Sequence, residues 1–237
     1  MTFCLLFVHT KSRPPSGCGS PEVSLRKIQR RPEGPQKEAP MSRIILASQS
    51  PRRKQLLTQI GVKDFDILVP EADETFDPSL PPEEIVSSIC IKKAEAARAL
   101  AGDPDAIIIT ADTMVFLDGL RLGKPRDQVD AFTMLSALSG RKHQVCTGVT
   151  VSRGERMETK TETTAVTFRP LTQDEIWGYI RSGEPFDKAG GYGVQGKAAL
   201  FVPKIEGDYF NVMGLPLFLL GGMLADFGVK LFEEELH

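Results

Sequence analysis

Two serines and two arginines stand close together in the stretch Ser-Gln-Ser-Pro-Arg-Arg at residues 48–53. An apolar run at residues 44–47 precedes them and has the branching of a buried strand. Ser50 is a good helix N-cap and Pro51 suits the first helical position, so the segment predicts a strand, a tight turn and a helix. Arginines in a first helical turn oppose the helix dipole. They indicate either a bound anion such as phosphate or an ordinary pair of solvated arginines.

Asp112 follows an apolar, β-branched run at residues 106–110 that is typical of a strand in the centre of a sheet. We expect this strand to end at residues 111–113, which would place the carboxylate at the crevice where α/β folds bind ligands. There it could activate water or hold a divalent cation, although an isolated aspartate more often only caps or turns the chain. A nearby acidic group could supply a second carboxylate or could be an ordinary solvated loop: Glu71, Asp73 and Glu74.

Two lysines could reach a phosphate as point charges. Lys124 lies between Gly123 and Pro125 on a predicted rigid turn, and Lys93 lies on a predicted helix. Each taken alone could equally be an ordinary surface lysine.

The glycine-rich segment at residues 184–196 contains Gly-x-Gly-x-x-Gly. No apolar strand precedes it and no helix is predicted after it, so it does not match the dinucleotide-binding fingerprint. Its glycines would let a backbone approach a ligand closely, and the Gln195 amide can both donate and accept, which matches a nucleobase edge. The alternative is a flexible surface loop.

The composition is that of a globular domain of α/β size, with 237 residues, 41% of them hydrophobic and 25% charged. A formal net charge of −2 gives no basic field for binding polymeric nucleic acid, and no apolar run is long enough to cross a bilayer. The cysteines are widely spaced, which suits a reducing cytoplasm and predicts neither a zinc site nor a disulfide framework: Cys4, Cys18, Cys90 and Cys146.

Helical and strand patterns are mixed along the chain, which predicts an α/β (mixed α+β) fold with a mixed sheet. We expect helices at residues 83–100, 127–138, from 172 and 215–227, and strands at residues 64–69, 106–110, 114–117, 143–152, 159–168 and 199–202. Thr172 and Glu175 form a predicted capping box.

Residues 1–40 differ in composition from the rest, being crowded with Pro, Gly, Ser and basic residues. We expect this extension to be disordered, with Met41 as the working start. An organelle transit peptide is the alternative.

Eight short motifs occur in a fixed order along the chain. They are Leu-Ala-Ser-Gln-Ser-Pro-Arg-Arg (46–53), Lys-Lys-Ala (92–94), Ala-Asp-Thr (111–113), Gly-Lys-Pro (123–125), Leu-Ser-Gly-Arg (138–141), Thr-Gly-Val (147–149), Ser-Gly-Glu-Pro-Phe-Asp-Lys-Ala-Gly-Gly-Tyr-Gly-Val-Gln-Gly (182–196) and Gly-Asp-Tyr-Phe-Asn-Val-Met-Gly-Leu-Pro (207–216). Each motif is weak alone, but the ordered set is specific. Through it the chain resembles the Maf family of nucleoside triphosphate pyrophosphatases over residues 42–228, with 229–237 as a short tail.

The resemblance implies a mixed twisted sheet flanked by helices, with two lobes around a central nucleotide cleft. It implies a cytoplasmic, often homodimeric enzyme that uses a divalent metal such as Mg, Mn or Co. The reaction would cleave a nucleoside triphosphate between its α- and β-phosphates, in the cleaning of nucleotide pools and with a link to cell-division arrest. The branch acting on dTTP and UTP fits these motifs better than the branch acting on 7-methyl-GTP.

The resemblance also implies residue roles. Asp112 would be the base that activates water, and Glu74 would join it in binding the metal. Substrate choice would depend on Arg52, Thr113 and Gln195, and the phosphates would lie along Ser48, Arg53, Lys93 and Lys124. Two alternatives stay open: a pyrophosphatase for 7-methyl-GTP or inosine-type triphosphates, and a nucleotide-sensing protein with vestigial hydrolysis.

Overall fold

The computed structural model describes residues 42–232 of the chain. The predictions for residues 1–40 and for most of the C-terminal tail therefore lie outside the described residues. The helices and strands follow in the order β1 (Ile44–Leu46), α1 (Pro51–Gln59), β2 (Asp66–Ile67), α2 (Pro82–Ala101), β3 (Ile107–Leu117), β4 (Leu120–Leu122), α3 (Gln128–Leu138), β5 (Lys142–Arg153), β6 (Arg156–Thr167), α4 (Gln173–Ile180), β7 (Lys204–Glu206), α5 (Tyr209–Met213) and α6 (Leu217–Asp226). Three short 3₁₀ helices lie between α4 and β7: Glu184–Asp187, Ala189–Gly191 and Lys197–Phe201.

The strands form one mixed sheet, as predicted, and it has seven strands. Its order is β2-β1-β3-β5-β6-β7, and β4 pairs with β3. The pairings of β1 with β2 and β3 are parallel, and the others are antiparallel. Helices α1 and α6 help to enclose one hydrophobic core against the sheet, and α3 and α4 help to enclose another.

Strand β3 does not end at residues 111–113, so that prediction was wrong. Pairing with β5 continues without a break from Ile108 to Phe116, and these backbone hydrogen bonds hold Asp112 and Thr113 inside the ladder. Along its other edge, β1 pairs only with residues 107–109 and β4 only with residues 115–117. Asp112 therefore lies in the middle of a strand, facing a gap between two short partners.

Local capping chemistry behaves as predicted. The Ser50 hydroxyl accepts from the Arg53 amide at the start of α1, and Thr172 and Glu175 form the capping box of α4. The hairpin of β5 and β6 is present.

The predicted strand at residues 199–202 was wrong, because Lys197–Phe201 is a 3₁₀ helix that buries Ala198 and Phe201. The strand at residues 64–69 is reduced to two residues.

Helix α2 packs unusually close to the sheet beside Asp112. Gly148 of β5 pairs directly with Asp112, and a Cβ atom at Gly148 would lie only 2.8 Å from the Val86 carbonyl oxygen of α2. The Cys90 thiol donates to the Gly148 carbonyl over 3.0 Å. This close approach is what brings Lys93, one turn further along α2, to the gap in the sheet. Within residues 42–232, none of the helices is long and apolar enough to cross a membrane.

Candidate active site

A cleft of about 570 Å³ opens at the gap beside β3. We call one side the strand wall, formed by the middle of β3 together with Arg53 and Lys93. The facing side, residues 184–196, is the glycine-rich wall. Most of the predicted site residues line this cleft: Arg52, Arg53, Glu74, Lys93, Asp112, Thr113, Lys124 and Gln195. These residues span more than 140 positions of the chain, and the fold brings them to one cleft.

Lys93 lies between two carboxylates on the strand wall. Its Nζ is 2.6 Å from Asp112 Oδ1 and 2.9 Å from Glu74 Oε1. Burial alone would lower the pKa of Lys93, but the two carboxylates outweigh burial and the pKa lies above its ordinary value. The hydrogen bond from Lys93 lowers the pKa of Glu74, against the opposing effect of burial. At neutral pH this group therefore holds one ammonium and an ionised Glu74 beside Asp112.

The acidic loop that carries Glu74 is anchored to the same helix. Lys92 donates to the Thr75 carbonyl oxygen over 2.7 Å and lies 3.2 Å from Asp73 Oδ2. Lys92 thus binds the loop and the adjacent Lys93 contacts Glu74 and Asp112, so the loop is fixed at the cleft rather than being an ordinary solvated segment.

Arg53 is a half-buried cation held by neutral acceptors. Its Nε donates to the Gly214 carbonyl oxygen over 2.7 Å, and its two terminal nitrogens donate to Ser48 Oγ over 3.2 Å and Thr113 Oγ1 over 3.0 Å. Burial lowers the pKa of Arg53, and the charge of Asp112 opposes that shift. Among residues 42–232 it has no ion-pair partner, so its charge is available to an anion in the cleft.

Ser48 differs from the prediction, because it is not among the residues that line the cleft. Its hydroxyl accepts from Arg53 and from the Ser50 amide over 3.2 Å. It therefore orients the arginine and the turn, and it contacts the cleft only through Arg53.

A chain of buried hydroxyls lies behind Thr113. Its oxygen accepts from Arg53 and is 3.0 Å from the Thr147 hydroxyl, which donates to the Asn211 carbonyl oxygen over 3.1 Å. The Asn211 side chain donates to the Val145 carbonyl and to Thr164, each over 2.9 Å. These bonds fasten α5 to the sheet and so position Gly214, the carbonyl that Arg53 contacts. Thr147 and Asn211 were not predicted as site residues, although both lie inside motifs that were recognised.

The glycine-rich wall is a packed structure and not a flexible surface loop. A Cβ atom at Gly193 would lie 2.6 Å from the Lys188 side chain, and one at Gly196 would lie 2.1 Å from a carboxylate oxygen of Glu184. A larger residue at either position would have to displace the Lys188 or the Glu184 side chain. Gln195 is exposed in the cleft, where its amide can meet a ligand.

One ion pair joins the two sides of the cleft. Arg52 Nη1 of α1 is 3.1 Å from Asp187 Oδ2, and Asp187 also contacts the Lys188 ammonium. Asp187 and Lys188 were not predicted as site residues, although they lie inside a motif that was recognised.

Tyr192 connects the glycine-rich wall to the core. Its hydroxyl is 2.8 Å from Nε2 of His143 on β5, and both rings pack edge-on against Phe168. His143 is only 3% exposed, and burial lowers its pKa to about 4. The histidine is therefore neutral at neutral pH.

Asp112 and Glu74 have the donor chemistry for a hard divalent cation. Lys93 contacts one oxygen of each carboxylate. In the described part of the chain no three His, Cys, Asp or Glu side chains gather into a metal cluster. The pair fits a cation such as Mg²⁺, which commonly takes one or two carboxylates and completes its shell with water and phosphate oxygens.

The Maf-like protein family model matches residues 43–227 of the chain. The chain is 50% identical over 192 residues to a Bacillus pumilus protein named dTTP/UTP pyrophosphatase, covering 81% of this chain and 100% of that one. It is 48% identical over 188 residues to the protein of that name from Bacillus velezensis, covering 79% and 98% of the two chains. A solved structure titled nucleoside-triphosphatase / dITP/XTP pyrophosphatase, from Mycobacterium abscessus, aligns with a TM-score of 0.33 at 14% identity over 53% of this chain and 72% of that one. This last likeness is too weak to show a shared fold.

Proposed function

The chain belongs to the Maf-like protein family, and on that premise we propose that it is a nucleoside triphosphate pyrophosphatase acting on dTTP and UTP. The products are the nucleoside monophosphate and pyrophosphate. The observation that carries this proposal is the grouping of one carboxylate, Asp112, with Arg53, Lys93 and Lys124 in a single cleft. Cations there offset the charge of a triphosphate, while the carboxylate can take a proton from water.

Asp112 is the proposed general base. Water attacks the α-phosphorus, a new P–O bond forms, and the bond from that phosphorus to the bridging oxygen breaks, so that pyrophosphate leaves. The proton of the attacking water passes to a carboxylate oxygen of Asp112. Lys93, 2.6 Å away, fixes the orientation of the carboxylate. The β3 ladder fixes its backbone, so little rearrangement is needed before reaction.

The phosphates are the proposed ligands of Arg53, Lys93 and Lys124, with Ser48 acting through Arg53. Arg53 is well suited to this role because its position is fixed by three neutral acceptors while its charge has no carboxylate partner within the described residues. A guanidinium or ammonium in this position stabilises the charge that develops on the phosphate oxygens.

A divalent cation, Mg²⁺, Mn²⁺ or Co²⁺, is part of the proposal, with Asp112 and Glu74 as its protein ligands. When bound it would supply further neutralisation of phosphate charge. Lys93, which contacts both carboxylates, would keep them at the same side of the cleft.

Base selectivity is assigned to Arg52, Thr113 and Gln195. The carboxamide of Gln195 can accept from the N3–H of uracil or thymine and donate to a neighbouring carbonyl. Purines present a larger and differently patterned edge, which supports the preference for pyrimidine triphosphates.

Pyrophosphate release from a panel of triphosphates tests this proposal: dTTP, UTP, dCTP, ATP, GTP, ITP and 7-methyl-GTP, each with and without a divalent cation. We expect the highest kcat/KM for dTTP and UTP and loss of turnover with a chelator. Higher rates on ITP or 7-methyl-GTP would favour a purine-directed enzyme, and tight binding without turnover would favour a nucleotide-sensing protein.

We also propose that the enzyme works in the cytoplasm as a homodimer, cleaning the nucleotide pool. In the described part of the chain, Cys90 and Cys146 are buried free thiols, which supports a reducing compartment. Light scattering on the purified protein would measure the subunit number, and a monomeric mass would remove the dimer from this proposal.

A further inference from the structure

Six basic side chains and four carboxylates line the cleft, and most of them pair with each other. The basic residues are Arg52, Arg53, Lys93, Arg121, Lys124 and Lys188, and the acidic ones are Glu74, Asp112, Glu184 and Asp187. Lys93 is shared by Asp112 and Glu74, and Asp187 binds both Arg52 and Lys188.

Three cations are left over. Arg53, Arg121 and Lys124 have no carboxylate within 4.0 Å among residues 42–232. Arg53 is half-buried and bound to Thr113 of β3, whereas Arg121 and Lys124 are exposed on and just after β4. A triphosphate carries its charge along its length, so a second cationic position apart from Arg53 is what its far end requires.

The guanidinium of Arg121 is held in place without being neutralised. Its central carbon lies 4.8 Å from the centre of the Phe76 ring, in the acidic loop. One terminal nitrogen points toward Gly123. It lies 3.6 Å from the position that a Cβ atom at Gly123 would occupy. A guanidinium carries five N–H donors, so contact with one ring leaves donors for a ligand.

Arg121 and Lys124 act on the same part of the cleft. Both lower the pKa of Glu74, after the larger effect of its hydrogen bond with Lys93. Glu74 contacts Lys93 and lies across it from Asp112. Arg121 also contacts Phe76, two residues after Glu74, so it lies on the acidic-loop side of the cleft.

We infer that Arg121 is a further phosphate-binding residue, which together with Lys124 binds the pyrophosphate end of the substrate. This assignment rests on the proposed function. Arg121 would donate in a bidentate manner to oxygens of the leaving pyrophosphate, and Lys124 would add a point charge beside it. Phe76 would be a positioning residue that holds the guanidinium toward the cleft.

The test is Arg121→Gln, with Arg181→Gln as the matched control on the exposed end of α4, outside the cleft. For Arg121→Gln we expect kcat/KM for dTTP to fall about tenfold, as for loss of one charge-assisted hydrogen bond. The inhibition constant of pyrophosphate should rise by a similar factor, while inhibition by dTMP, which lacks that end, should stay unchanged. Arg121→Lys should recover part of the loss, and Arg181→Gln should behave as the wild type.

Two results would overturn the assignment: unchanged pyrophosphate inhibition in Arg121→Gln, or equal weakening of pyrophosphate and dTMP, which would indicate a general disturbance of the cleft. Phe76→Leu distinguishes phosphate binding by Arg121 from support of the acidic loop by Arg121. A smaller loss of pyrophosphate inhibition than in Arg121→Gln supports direct binding by Arg121. An equal loss means that Arg121 acts only through the loop. If the wild type released no pyrophosphate from dTTP, the proposed function itself would fail, whereas a normal wild type with an unaffected Arg121→Gln would remove only this inference.

Discussion

The strand wall and the glycine-rich wall hold their charged groups in different ways. On the strand wall, Asp112 is 13% exposed at its side chain and rests on a ladder of backbone hydrogen bonds. On the glycine-rich wall, Asp187 is 60% exposed and rests on a short 3₁₀ helix. Both aspartates contact a basic residue, at 2.6 Å and 3.1 Å.

We propose that the strand wall holds the general base, while Gln195 of the glycine-rich wall contacts the nucleobase. A general base must be held at a fixed distance from the reacting phosphorus, which a buried, paired side chain in a continuous strand achieves. Recognition of the nucleobase can use exposed contacts, since each of those hydrogen bonds contributes less. If this is right, equivalent substitutions on the two walls should have very different effects.

Asp112→Asn should have the largest effect. Loss of a positioned base costs about 10²–10⁴ in rate, while the amide keeps the size of the side chain and should leave the fold intact. Nucleotide binding should survive or tighten, because a negative charge near the phosphates is removed. The check is a turnover assay paired with calorimetric binding of a non-hydrolysable dTTP analogue to the same variant. Turnover close to that of the wild type would exclude Asp112 as the base.

Acidification should weaken the support of the glycine-rich wall. The pKa of His143 is about 4 in the folded protein, below the ordinary value of 6.5, so the unfolded chain binds more protons between these two pH values. The free energy of unfolding should therefore fall as the pH drops from about 6.5 to about 4, by at most about 3 kcal/mol from this residue. Urea unfolding at a series of pH values would measure it.

The control for this effect is His143→Phe, which cannot titrate. His143 is the only histidine in residues 42–232, so the substitution removes imidazole titration from the described part of the chain. The variant should lose the hydrogen bond to Tyr192 but show a flatter slope between pH 6.5 and 4.5. An unchanged slope would show that His143 is not responsible.

Gln195→Ala should affect selectivity more than rate. We expect the preference for dTTP over ATP to shrink by about 1–3 kcal/mol, the cost of leaving polar groups of the bound base unpaired. The measurement is the ratio of kcat/KM for the two substrates. Gln173→Ala, at an exposed glutamine of α4, is the matched control. A ratio equal to that of the wild type would remove Gln195 from base recognition.

Asp187→Asn should have the smallest effect and sharpens the comparison with Asp112→Asn. The chemistry of the change is the same, but a largely exposed ion pair is worth only about 0.2–1 kcal/mol. The rate on dTTP should therefore change by less than about fivefold. A loss as large as that of Asp112→Asn would contradict the proposed division between the walls.

Local chemistry explains what could be predicted from the sequence. The Ser50 cap, the capping box at Thr172 and the β5–β6 hairpin each depend on residues close in the chain. The ordered motifs also identified eight residues that line the cleft.

The errors arose where distant contacts decide the structure. Asp112 and Thr113 interrupt an apolar run, which is typical of a strand end, yet pairing with β5 carries the strand through them. The short apolar run after Gly196 could not be distinguished from a strand by its pattern alone. Arg121 and Asp187 became site residues only through partners far away in the chain, Phe76 and Arg52.

The continuity of β3 also bears on how the site fluctuates. Backbone hydrogen bonds at the centre of a sheet break only in the rarest openings of a protein, close to global unfolding. Asp112 and its partner Gly148 belong to such a region, beneath the tightly packed α2. The Asp112 backbone should therefore open only together with the sheet, so we expect heat to displace the proposed base no earlier than the sheet melts.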